Sequence, residues 1–178
     1  AAIGDGEEVV GDITDVVRSW KADGRPGGRR ELLLRLAETP GCYVPSLYAV
    51  PYGPDGAIAE VVPSEPRVPG VVQKRTTVDL DTWPYPKTPL VPMAETVHER
   101  ASVEIFRGCT RGCRFCQAGM ITRPVRERSL RGIGEMVDAA VRASGFDEVG
   151  LLSLSSADHS EIAEITKGLA DRYEGTNT

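Results

Sequence analysis

The 178-residue sequence is most informative first for what it has little of. No apolar run approaches the roughly 18–20 residues that a bilayer-spanning helix needs, and no basic-then-apolar leader opens the chain. A membrane-spanning helix is therefore excluded, and nothing suggests secretion. Aromatic residues make up 6% of the chain, and the only two histidines are His98 and His159. Neither stands at zinc-finger spacing from a cysteine pair. Four cysteines are too few and too clustered for a disulfide scaffold. The net charge of −5 argues against a general nucleic-acid coat. There is no initiator Met, and the ends, Ala1-Ala2-Ile3-Gly4 and Thr176-Asn177-Thr178, read as those of an excised piece. What is present in quantity is a 40% hydrophobic content, enough to build a core, so wholesale disorder is excluded.

Proline is abundant but uneven. Eleven of the thirteen prolines lie from Pro40 to Pro92, with Pro26 and Pro124 outside. Because proline fixes φ and removes an amide donor, this stretch cannot be mainly helix. It reads as an extended linker over residues 39–98. Short strands are expected at Tyr43–Val50 and Ala57–Val62, about a Gly53-Pro54-Asp55-Gly56 turn. Before it, residues 1–38 carry two helices. Glu7–Trp20 has Val9, Val10, Ile13, Val16, Val17 and Trp20 at helical spacing with acidic residues in the first turn. Arg29–Glu38 stops at Thr39-Pro40-Gly41.

After the linker, residues 99–178 alternate. A strand at Ser102–Phe106 is followed by a Gly/Cys/Arg segment. Ser129 then caps a helix to Arg142, ended by Gly145. A strand at Val149–Leu154 and a helix at Glu161–Tyr173 complete the pattern. Strand–helix–strand–helix implies α/β with parallel pairing, and two such units are the start of a barrel or open sheet.

Three cysteines, Cys109, Cys113 and Cys116, form Cys-x-x-x-Cys-x-x-Cys on the loop leaving the first of these strands. Thiolates are soft ligands, and three from one short loop suit an iron–sulfur cluster whose fourth iron stays open. A zinc site and inert thiols are the alternatives, and a disulfide would leave an odd thiol. The remaining cysteine, Cys42, reads as a buried small hydrophobe.

The run Cys109-Thr110-Arg111-Gly112-Cys113-Arg114-Phe115-Cys116 resembles the signature of radical S-adenosylmethionine (SAM) enzymes. That resemblance implies a [4Fe–4S] cluster held by Cys109, Cys113 and Cys116, with SAM on the open iron. It further implies a reductant such as flavodoxin or ferredoxin, and a 5′-deoxyadenosyl radical that starts chemistry on an unassigned substrate. The implied fold is the N-terminal part of a partial (β/α) barrel. Phe115 would then lie near the adenine, and Ser155 and Asp158 would stand where many such enzymes hold the SAM ammonium with a Gly-Gly-Glu type motif. Oxygen-sensitive clusters fit a reducing, cytoplasmic setting. A non-catalytic iron–sulfur or zinc protein using the same cysteines is the competing class.

A narrower likeness runs from Glu104 to Ser129 and again through Leu151–Ser156. It is similar to an uncharacterised group of radical SAM proteins with an N-terminal cobalamin-binding-type domain. Gly4-Asp5-Gly6-Glu7 is similar to the turn that precedes the last helix of that Rossmann-like domain. Residues 1–38 would then be its tail and cobalamin its cofactor, although the Asp-x-His-x-x-Gly pattern that ligates cobalamin in some proteins is absent. A piece of this kind is expected to be inactive by itself.

Eight arginines between Arg100 and Arg131 face only Glu104 and Glu127. They read either as a solvated face bracing the helix start or as a collar for an anion, SAM's carboxylate or RNA. No aromatic interleaving supports base stacking. Gly108, Gly112 and Gly119 would let backbone amides approach the sulfurs or would simply make turns, and Phe115 would shield a cluster or fill core.

Overall fold

The computed structural model describes residues 1–94 and 96–174. Its packing divides the chain into two units, Ala1–Thr77 and Val78–Thr178. The fold is mixed α/β.

In the first unit, helix α1 (Gly6–Ala22) opens with Glu7 and Glu8 in its first turn and closes with Lys21 in its last, each matching the helix dipole. Helix α2 (Gly28–Ala37) buries Leu34 and Ala37. These pack with Cys42, Val44, Leu47 and Val68, so the proline-rich chain supplies more than half of this core. Cys42 sits there as the small hydrophobe expected of it. The same chain returns Arg67 to α2, where its guanidinium donates to Glu31 at 2.8 Å and to Glu38 at 2.7 Å.

The two strands expected in that stretch are shorter than the sequence suggests. Strands β1 (Tyr48–Ala49) and β2 (Val62–Pro63) pair antiparallel over two residues each. Pro45 begins a 3-10 turn instead of a strand, and Pro51 and Pro63, which flank the expected strands, have no amide to donate to a ladder. The turn itself forms as expected: the Gly56 amide donates to Gly53 O at 3.0 Å and the Gly53 amide to Ala57 O at 2.8 Å.

In the second unit, β3 (Ala101–Glu104) pairs in parallel with β6 (Val149–Leu152), Ala101 beside Val149 and Glu104 beside Leu152. Between them in sequence come strand β4 (Phe106–Arg107), helix α3 (Ala118–Ile121), strand β5 (Arg126–Glu127) and helix α4 (Leu130–Ser144); α5 (Ile162–Arg172) follows β6. Alternation along β3 buries Ala101 and Val103 and exposes Ser102. Ile133, Met136 and Val137 of α4 and Ile165 of α5 meet Val103, Ile105 and Phe106 in one core. Ser129 caps α4 as predicted, its Oγ accepting from the Gly132 amide at 3.0 Å, and Gly145 ends it at φ +73°.

Two differences from the sequence reading matter for the site. The predicted strand Ser102–Phe106 divides at Ile105: Phe106 and Arg107 leave the parallel ladder to pair antiparallel with Glu127 and Arg126. The strand expected over Val149–Leu154 ends at Leu152. Beyond it, serine hydroxyls compete for the backbone, the Ser155 amide donating to Ser153 Oγ at 3.1 Å and Ser156 Oγ to Leu151 O at 3.1 Å.

Candidate metal centre

The cysteine loop begins where β4 ends. Gly108 has φ +91°, and a Cβ there would lie 2.7 Å from Pro124 O and 3.0 Å from Thr122 O. Only glycine allows the loop to leave so close to the chain entering β5. Cys109 follows, its carbonyl accepting from Arg123 Nε at 3.2 Å. Its sulfur accepts the Arg111 amide at 3.4 Å. The Cys116 amide closes a turn on Cys113 O at 3.0 Å. Helix α3 then turns the Gly119 amide onto Cys116 Sγ, also at 3.4 Å. Gly119 is buried, and its position is flanked by Cys109 Cβ and Cys116 Sγ, each 3.7 Å from where a Cβ would stand.

All three thiols are free, Cys113 exposed and the other two half-buried. As the side chains stand, no group of three or more His, Cys, Asp or Glu among the described residues forms a ready metal-holding arrangement. Cys109 and Cys116 share the flanks of one glycine, and Cys113 occupies the exposed turn between them. The donor chemistry nonetheless fits an iron–sulfur cluster. The loop supplies three soft ligands, and two of the sulfurs already receive backbone N–H groups of the kind that stabilise thiolate charge.

The turn after β6 meets this loop. Arg111 Nε donates to Asp158 Oδ2 at 2.6 Å, and a second guanidinium nitrogen donates to Oδ1. Ser155 Oγ donates to the same Oδ2 at 2.7 Å. Arg111, then Ser155, holds the Asp158 carboxyl below its ordinary value, and Asp158 pushes the guanidinium up. Ser155 and Asp158 are thus together, and the partner that joins them to the cysteines is Arg111. Phe115, 91% exposed, fills no core.

Of the eight arginines, seven are engaged by the chain itself. Arg100 pairs with Glu148 at 3.1 Å, Arg107 with Glu104 at 2.9 Å, and Arg131 with Glu135 at 2.8 Å. Arg111 meets Asp158, Arg123 the carbonyl of Cys109, and Arg126 those of Pro124 and Thr122. Arg128, nearly buried, reaches Leu80 O and lies 3.5 Å from Glu104. Of the eight, Arg114 alone is exposed with no partner among the described residues. The bracing role is therefore the one this geometry favours. Sequence reasoning missed Arg128 as a brace because its partners, Leu80 and Glu104, are distant in sequence.

Gly4-Asp5-Gly6-Glu7 lies in the first unit and is bound by its own chain. Asp5 Oδ2 accepts the Thr77 amide at 2.7 Å, and Glu7 Oε2 accepts Thr77 Oγ1 at 3.3 Å. Gly4, at φ +100°, pairs with Arg75, whose carbonyl leaves no room for a Cβ. Among the described residues no helix is long and apolar enough to cross a membrane.

Comparison with known proteins narrows the chemistry. The chain is 31% identical over 121 residues, 63% of its length, to an uncharacterized protein of Methanocaldococcus jannaschii. It spans 27% of that relative. No solved structure matches it. Residues 103–178, which hold all three clustered cysteines and the turn carrying Asp158, match the family model of the radical SAM superfamily.

Proposed function

We propose that this chain carries the cluster-binding portion of a radical SAM enzyme, with Cys109, Cys113 and Cys116 as the ligands of a [4Fe–4S] cluster. The observation that carries the reading is one loop bearing three free thiols inside the matched region, with amides from Arg111 and Gly119 directed at two of the sulfurs. The chemistry such a cluster supplies is one electron for the reductive cleavage of SAM.

The chain's own residues supply the setting. Gly108 and Gly119 let backbone close on the loop, and the two amides lower the cost of holding thiolates there. Three protein ligands leave one iron for SAM, as the donor count requires. Exposed Phe115 offers a flat apolar surface for an adenine, and Ser155 and Asp158 shape the turn that meets the cysteine loop. We assign no cobalamin to Gly4–Glu7, since Asp5 and Glu7 already bind Thr77. The substrate and the electron donor, a flavodoxin or ferredoxin in this reading, belong to the whole protein.

The test is electron paramagnetic resonance of the intact protein after anaerobic reconstitution with iron and sulfide and reduction. The expected result is a cluster signal that changes when SAM is added. A signal indifferent to SAM would refute the catalytic role, and zinc at full occupancy without iron would refute the cluster.

A further inference from the structure

Asp158 is the one carboxylate bonded to the cysteine loop among the described residues, and it reaches it across 47 positions of sequence. Both of its oxygens are occupied. Oδ2 accepts from Arg111 Nε and from Ser155 Oγ, and Oδ1 accepts from the other arm of the Arg111 fork. The bidentate pairing fixes the plane of the guanidinium as well as its position. Arg111 also provides the amide that donates to Cys109 Sγ. One residue therefore joins the thiol by its backbone and the end of β6 by its side chain. Ser155 is in turn set by Ser153, whose Oγ takes its amide. Three of the roughly four acceptor positions on the carboxylate are thus taken by the chain itself.

We infer that Arg111 and Asp158 are a positioning pair: Asp158 acts on the cysteine site through Arg111, fixing the loop that presents Cys109. The ordering of the loop stands on this geometry alone. Its consequence for a cluster, a guanidinium whose charge is compensated beside the sulfurs, rests on the function proposed above.

Hydrogen exchange on the whole, metal-free chain tests the pair. Asp158→Asn and Arg111→Gln should each speed exchange over residues 109–117 by about threefold to fivefold, the scale of a partly exposed ion pair. Exchange in α4 should stay as in the wild type, and Arg111→Lys, which keeps the charge but loses the fork, should fall between. A role in general stability would accelerate α4 by the same factor and would overturn the inference, as would unchanged loop exchange in both variants. With iron and sulfide loaded, the two variants should move the cluster's reduction potential in opposite directions. Asp158→Asn leaves a positive charge uncompensated and raises it; Arg111→Gln removes that charge and lowers it. Shifts of the same sign would overturn the pair. Failure of the wild type to load would bring down the cluster reading and leave exchange to decide the pair.

Discussion

Gly108 controls where the cysteine loop starts. Its φ of +91° is strained for any residue with a Cβ, and the nearest obstacles are carbonyl oxygens of Pro124 and Thr122, which cannot rotate away as a side chain would. Gly108→Ala should therefore destabilise the chain by about 1–3 kcal/mol for the backbone conformation, with displacement of the β4–β5 pair adding to it. Urea unfolding measures the loss; a change below about 0.5 kcal/mol, the range of an ordinary surface substitution, would show that the loop leaves β4 by another route. At the same scale, the cysteine trio was legible in the sequence because its three thiols fall within eight consecutive residues. The Arg111–Asp158 pair was not, since nothing local ties two residues 47 positions apart. Phe115 shows the opposite limit: an aromatic in a motif gave no sign that it would stand 91% exposed.

Helix α2 illustrates how elements are held by chain that forms little regular structure itself. Arg67 bridges Glu31 and Glu38, and Arg35 adds a second bond to Glu31 at 3.2 Å. Arg67 holds both glutamates below their ordinary value, with Arg35 adding to the effect at Glu31. Depressed folded values mean that this contribution is complete above the unfolded glutamate value, about 4.3, and is lost as pH falls below it through the folded values. Stability of the first unit should accordingly fall in that acid range, and Arg67→Met should flatten the dependence. A wild-type urea midpoint that is level from pH 6 to pH 3, or an unchanged slope in Arg67→Met, would contradict this role. The six elements read from periodicity, caps and strand composition, α1, α2, α4, α5, β3 and β6, formed near their expected places because each carries its own signal in adjacent residues. The β4–β5 pair and α3 were missed. Two-residue strands and a four-residue helix contain too few positions to show a period, and tertiary contacts decide them. Prolines, which lack an amide donor, limit β1 and β2, whereas serine side chains compete for backbone groups just beyond β6.

Over the whole molecule, each of the two units has its own apolar core, one built around Leu34 and Val68 and the other around Ile105, Phe106 and Val137. The net charge of −5 conceals a basic stretch near the cysteines, and most of its arginines are engaged by the chain's own carboxylates and carbonyls. Composition therefore said little about partners. The region that matches a known family is the one whose chemistry is concentrated in a single loop, and it is there that the account is most exposed to test. Iron and acid-labile sulfide, measured per chain after anaerobic reconstitution of wild type and Cys113→Ala, address it directly. About four of each are expected for the wild type, and near none for the variant, with helix content by circular dichroism unchanged. Equal iron in the two proteins would contradict the assignment of these cysteines as cluster ligands.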